Sequence, residues 1–210
     1  MGVDTLDAFL VDQPEVHITE CGKEATLQRL ELVFEMLERA VQEGRLRRYG
    51  ITSFESFRVE TDAPLFLSLT SLVGLAERAA HTVTGNPQAR HHFNQVMLEG
   101  FTRFNTATGQ GNVASPIQAA HQLQLYVMAS HSLLKGHLAT QSVDTVARAL
   151  ADLPNPAQRA LQFNRSTPGV GTSLAGISTP EHLEDLLAVA GLPVMARQAY
   201  LGMFERVGGE

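Results

Sequence analysis

Few residues of this chain have the type and spacing that chemistry needs. Asp12 closes the run Leu6-Asp7-Ala8-Phe9-Leu10-Val11-Asp12, which reads as a buried strand stopped by Gln13-Pro14. A carboxylate at the carboxyl end of a strand can serve as a general acid or base, although a solvated carboxylate at a loop mouth is commoner. Adjacent His91 and His92 invite a metal, yet neighbours on a strand point to opposite faces and do not share one ion, so they read as histidines leading into a strand. His131 and His137 flank Leu133-Leu134-Lys135-Gly136 with no third ligand at metal spacing, which makes them loop residues and leaves no metal site. Thr108-Gly109-Gln110-Gly111-Asn112 is rich in glycine but lacks the Gly-Lys-Ser/Thr ending of a phosphate-binding loop and follows no strand; it reads as a loop tip.

Composition narrows the partners. A chain of 210 residues, 44% apolar and 18% charged, suits one sizeable core, so a single domain over 1–210 is the expectation. A net charge of -6 with scattered arginines offers no basic field for a phosphate backbone, which argues against nucleic acid. Cys21 is the one cysteine, which excludes an internal disulfide and fits a loop thiol in a reducing, cytoplasmic compartment. The first residues, MGVDTLD, have no basic region ahead of an apolar one, Leu6 stands where a myristoylation motif wants Ser or Thr, and no apolar run approaches the ~20 residues that span a bilayer. No membrane partner is expected.

The elements that must position these groups alternate in period. Residues 15–25 are polar and hold Gly22 and Lys23, which predicts a loop. From Thr26, the residues Leu30, Val33, Phe34, Leu37, Ala40 and Val41 fall at helical spacing, with Glu31, Glu35, Glu38 and Arg39 on the other side and Gly44 as the stop. A strand is predicted at 49–54, a helix at 67–83, a strand at 93–98, a helix at 117–123 and a strand at 125–130. Helices at 141–152 and 156–164 follow, then a strand at 169–177. Thr179-Pro180-Glu181 opens a last helix through an N-cap, a proline and an acid, and Leu183, Leu186, Leu187 and Ala190 mark its buried stripe. Five short apolar strands, each followed by a helix, predict an α/β fold with parallel strands, either doubly wound or a (β/α) barrel. Both put their chemistry at the carboxyl ends of strands, here Asp12, 52–54, 97–100, 130–136 and 177–179.

Several segments, in order, resemble the aldo-keto reductases. GVDTLDAFLVDQPE is similar to that family's strand ending in His-x-Pro, and FEMLERAVQEGRLRRYGITSF to its helix and strand ending in Gly-Val-Ser-Asn-Phe. Asn94-Gln95-Val96, SLLKG at 132–136 and STPGVGTSLAGISTPEHLEDLL continue the resemblance along nearly the whole chain. It implies a (β/α)8 TIM barrel that binds NADP(H) and passes hydride to or from a small carbonyl substrate. Because the likeness starts at the family's fourth strand, the expected fold is an incomplete barrel of about five parallel βα units, four to eight, N-terminally shortened.

The resemblance also implies lost chemistry. The family's Asp, Tyr and Lys belong to units not matched here; Tyr49, Tyr126 and Tyr200 read as strand-start or C-terminal-helix residues, and Lys23 and Lys135 as loop residues. The catalytic His position is Asp12, which when ionised has no proton to donate. No catalytic residue is assigned. On the cofactor side, Thr52 and Ser53 stand for the pair that holds the nicotinamide amide and Gln95, or Met97 with a shift, for the carboxamide-binding Gln. Ser130 replaces the stacking aromatic. Leu133 lies in the phosphate loop, Ser178 and Thr179 open the last helix, His182 replaces the basic residue for the 2′-phosphate, and Asp185-Leu186 replaces the adenine-binding Glu-Asn. The helix start at 179–181 keeps backbone amides for phosphate. The expected function is an aldo-keto-reductase-like oxidoreductase by descent, inactive in this form and weak in NADP(H) binding; the alternative is a non-catalytic nucleotide-binding or protein-interaction chain. Five units leave open sheet edges, which call for self-association or a covering partner.

Overall fold

A computed structural model describes residues 2–99, 106–107 and 113–204. The order is β1 (Phe9–Asp12), α1 (Glu15–Cys21), α2 (Lys23–Gln42), β2 (Tyr49–Thr52), α3 (Leu69–Thr84), β3 (Phe93–Glu99), β4 (Thr106–Ala107), β5 (Val113–Ala114), α4 (Pro116–Gln122) and β6 (Tyr126–Ser130). A 3-10 turn (Leu134–Gly136), α5 (His137–Thr140), α6 (Asp144–Ala149), α7 (Pro156–Ser166), β7 (Val170–Ser173), α8 (Pro180–Ala190) and α9 (Arg197–Gly202) complete it. Five parallel strands form one open sheet, ordered β1-β2-β3-β6-β7, and β4 pairs with β5 as a small antiparallel ribbon. The fold is α/β, a partial barrel. The glycine-rich stretch at 108–112 lies outside the described residues.

The chain divides into two compact units, with the break between Val127 and Met128. In the first, β2 is buried at every residue, and Phe34 of α2, Tyr49 of β2 and Phe93 of β3 form an aromatic triad with ring centroids 5.2–5.8 Å apart. Ala76, Ala79 and Ala80 of α3 are fully buried, and Arg78 beside them reaches Glu31 of α2 with two hydrogen bonds of 2.8 and 3.1 Å. In the second unit, Leu150, Phe163 and Tyr200 form the core, ringed by Val146, Leu153, Met195 and Met203.

Three helices start on one local rule. Ser115-Pro116, Asn155-Pro156 and Thr179-Pro180 each place a cap oxygen on an amide three residues ahead of it, those of Gln118, Gln158 and His182, while proline fills the position whose N–H would go unpaired.

Several expectations need correction. β1 is not buried: it is an edge strand with Phe9 45% exposed and Asp12 at its exposed end. Residues 15–25 are not a loop, because α1 and the start of α2 occupy them; Cys21 therefore closes a helix, with its thiol on the His17 carbonyl, and Lys23 opens one. Glu38 faces inward, 2% exposed, against expectation. The helix over 141–152 shrinks to α6 and the strand over 169–177 to β7. The stripe on α8 is not buried either: Leu183 is 42% and Leu187 61% exposed, and Val189 is the buried residue of that helix.

Candidate functional site

The first unit brings the carboxyl ends of β1 and β2 side by side, since Asp12 pairs with Thr52 in register. Asp12 is exposed and accepts a hydrogen bond of 3.1 Å from the Gln13 side chain. That is the solvated carboxylate, with no acid–base partner among the described contacts. Thr52 and Ser53 are buried, 6% and 2% exposed, and Gln95 of β3 is 8% exposed with its Oε1 unpartnered among the described residues.

Ser53 is already engaged. Its hydroxyl donates to Glu15 Oε1 at 2.9 Å, and the backbone N–H groups of Phe54 and Glu55 donate to the same oxygen at 2.8 and 3.1 Å. The N–H of Ser56 in turn donates to Ser53 Oγ at 2.9 Å, which fixes the hydroxyl. Glu15 is the residue that sequence reasoning missed. A glutamate after proline in a polar stretch carries no sign of burial, and α1, seven residues with Ile18 as its buried apolar side chain, has too little periodicity to show that Glu15 faces inward.

The second unit gathers a cavity of about 470 Å³, within the range of ligand pockets. Ser132, Leu133, Lys135, Ser178, His182 and Asp185 are among its lining residues. Of the residues assigned to the cofactor, Leu133, Ser178, His182 and Asp185 line this one cavity; Ser130 ends β6 and contacts the His131 ring at 3.3 Å, outside the lining, and Thr179 serves as the α8 cap. The loop carries left-handed backbone at His131 (φ 53°), Leu134 (φ 44°) and Lys135 (φ 55°), each a non-glycine conformation costing on the order of 1–2 kcal/mol. Such strain persists where surrounding structure imposes it, here at a cavity wall.

The polar chemistry of this cavity is mixed. Lys135 and His182 supply cationic or donor groups, and the Ser132 hydroxyl, in a residue 2% exposed, has no partner among the described residues. Ser178 Oγ lies 3.1 Å from His182 Nδ1. Asp185 is held in place by the amides of Asn155 at 2.8 Å and Gln158 at 3.0 Å. At the α8 start the expected free amides are partly taken. Thr179 Oγ1 accepts from the His182 N–H at 3.3 Å, and Glu181 sits on its own backbone N–H and the Thr179 hydroxyl, which together hold its carboxyl below the ordinary range. Among the described residues no three His, Cys, Asp or Glu side chains gather to hold a metal, and no helix is long and apolar enough to cross a membrane.

No protein-family model and no curated protein matches the sequence. Solved structures do. A thermostable aldo-keto reductase in complex with the inhibitor epalrestat is 13% identical with a TM-score of 0.52, the match covering 96% of this chain and 60% of that one. The holo form of an aldo-keto reductase from Bacillus halodurans is 14% identical, TM-score 0.52, over 96% and 62%. An aldo-keto reductase from a Medee basin deep-sea metagenome library is 12% identical, TM-score 0.59, over 96% and 60%. The chain therefore has the aldo-keto reductase fold and spans about 60% of the length of these structures.

Proposed function

With that fold as the premise, we propose that the second unit binds the adenosine-phosphate end of NADP(H), and that these 210 residues do not by themselves reduce carbonyls. The observation that carries the reading is the cavity whose wall holds Lys135, His182 and the unpartnered Ser132 hydroxyl. These are donors suited to phosphate and ribose oxygens, so the adenosine-phosphate end fits. The nicotinamide end does not: Ser53, one of the pair assigned to its amide, is occupied by Glu15. Asp12, exposed and acceptor-only when ionised, supplies no proton to a developing alkoxide.

Binding is weak on this reading, because Glu181 adds a negative charge at the α8 start, next in sequence to the cavity residue His182. Calorimetric titration with adenosine 2′,5′-bisphosphate and with NADPH should give dissociation constants on the order of 100 μM or weaker, equal within about threefold. Micromolar binding of NADPH alone would overturn the proposal, since it would mean that the nicotinamide half is held. No aldehyde-dependent NADPH oxidation should rise above background; turnover that Asp12→Ala removes would contradict this.

Glu181→Gln should tighten the bisphosphate by about two- to fivefold at low salt, with the gain screened away near 0.5 M NaCl. Equal affinities for the variant and the wild type would show that Glu181 does not compete with phosphate.

A second reading is self-association. Leu183 and Leu187 stand one turn apart on α8 and are exposed, Ile177 is 51% exposed, and β1 and β7 are edge strands. Sedimentation showing monomer alone at about 100 μM would reject it.

A further inference from the structure

We propose that the carboxyl end of β2 is a binding cradle for a small carboxylate, which the chain fills with its own Glu15. Three donors from one short segment, Ser53 Oγ, Phe54 N and Glu55 N, converge on a single oxygen at 2.8–3.1 Å. They are set by the segment itself: the Ser56 N–H fixes Ser53 Oγ, and the N–H groups of Arg58 and Val59 close on the Glu55 carbonyl at 2.8 and 3.2 Å. The carboxylate comes from elsewhere, carried in by α1 behind Gln13-Pro14 and followed by Gly22, whose φ of 84° separates α1 from α2. The donors therefore do not depend on Glu15 for their arrangement.

The fit of Glu15 is one-sided. The residue is 6% exposed, and while Oε1 takes three hydrogen bonds, Oε2 is buried with no partner among the described residues. Among the described residues no lysine or arginine forms a salt bridge with it, so hydrogen bonds and backbone dipoles hold the carboxylate. A site made of donors alone selects an acceptor-only planar anion. Formate and acetate meet that description; chloride lacks the shape, and a primary amide brings N–H groups with nothing to accept them. The proposal is independent of nucleotide binding in the second unit.

Glu15→Ala would empty the cradle while leaving its donors in place. Thermal unfolding followed by circular dichroism, in sodium acetate or formate against sodium chloride at matched ionic strength, tests this. The variant should lose stability in chloride and regain it in acetate or formate, by about 3–5 °C when the anion is tenfold above its dissociation constant, and the wild type should show no such difference. If the variant is unfolded in chloride, the same anions should restore its folded signal. Identical behaviour in acetate, formate and chloride would overturn the proposal, whether the variant is folded or not. Glu15→Gln keeps an acceptor oxygen in the cradle and should be indifferent to acetate; a response as large as that of the alanine variant would overturn it too.

Discussion

The Gly50→Ala variant should lose about 3 kcal/mol of stability or more, measured as the shift of a urea unfolding midpoint at unchanged slope. A methyl at Gly50 would lie 1.9 Å from the backbone oxygen of Gln95, 2.5 Å from its carbonyl carbon and 2.8 Å from its Cβ. The first two are backbone atoms on the neighbouring strand, so no side-chain rotation relieves them. The approach is close because the register slips here: Tyr49 pairs with Phe93 but Gly50 with Gln95, leaving Asn94 as the extra residue of a bulge. Relief means prising β2 from β3 where Tyr49, Ile51 and Val96 are fully buried. Because domains are stable by only ~5–15 kcal/mol, a loss of this size removes a large share of the total. Gly74 is the control. A methyl there meets nothing closer than the Arg78 side chain at 3.9 Å, and in the interior of α3 alanine should add about 0.5–1 kcal/mol. A loss below about 1 kcal/mol for Gly50→Ala would mean that the two strands part more easily than the packing implies.

What the sequence revealed followed from periodicity, and it stopped where periodicity stops. The stripe from Leu30 to Val41 and the strand from Phe93 to Leu98 were legible because apolar side chains recur at 3.6 or dominate a central strand. The stripe on α8 has the same period, yet Leu183 and Leu187 are exposed: period shows that a helix has an apolar face, and not that these residues cover it. Glu15 and Glu38 failed for the opposite reason. Charged residues read as solvent-facing unless their partners are known, and those partners lie 38 to 40 residues away for Glu15 and up to 54 away for Glu38. The candidate site divides in the same way. Leu133, Ser178, His182 and Asp185 were identified through resemblance and share one cavity, whereas the amides of Asn155 and Gln158 that fix Asp185 carried no signal, because a polar helix such as α7 reads as solvated although Gln158, Gln162 and Asn164 are buried.

Glu38→Ala is expected to cost about 3–5 kcal/mol in the same urea experiment, because it strips the acceptor from three donors at once. Glu38 Oε1 receives the Tyr49 hydroxyl at 2.9 Å and the His92 N–H at 2.7 Å, and Oε2 lies 2.7 Å from His92 Nδ1, which carries the proton opposite an acceptor-only carboxylate. The Tyr49 ring is locked in the aromatic triad and fully buried, so its hydroxyl has no route to water once the carboxylate is gone. Glu38→Gln should cost far less, about 1 kcal/mol, since the amide oxygen can still accept from Tyr49 and His92 while its NH2 group makes the imidazole present a lone pair at Nδ1. Equal losses in the two variants would show that the charge, and not the hydrogen bonding, is what α2 contributes here. The same cluster sets an alkaline limit. Burial, then the Glu38 charge and then the hydrogen bond to it push the Tyr49 pKa well above its ordinary value. The folded chain keeps this phenol protonated where an unfolded tyrosine ionises near 10, so the contribution is whole below about pH 10 and is lost as pH rises further. Tyr200, raised by its own burial, adds in the same direction. The decline in stability above pH 10 should therefore be shallower, but not absent, in Tyr49→Phe, and an unchanged slope would remove Tyr49 as its source.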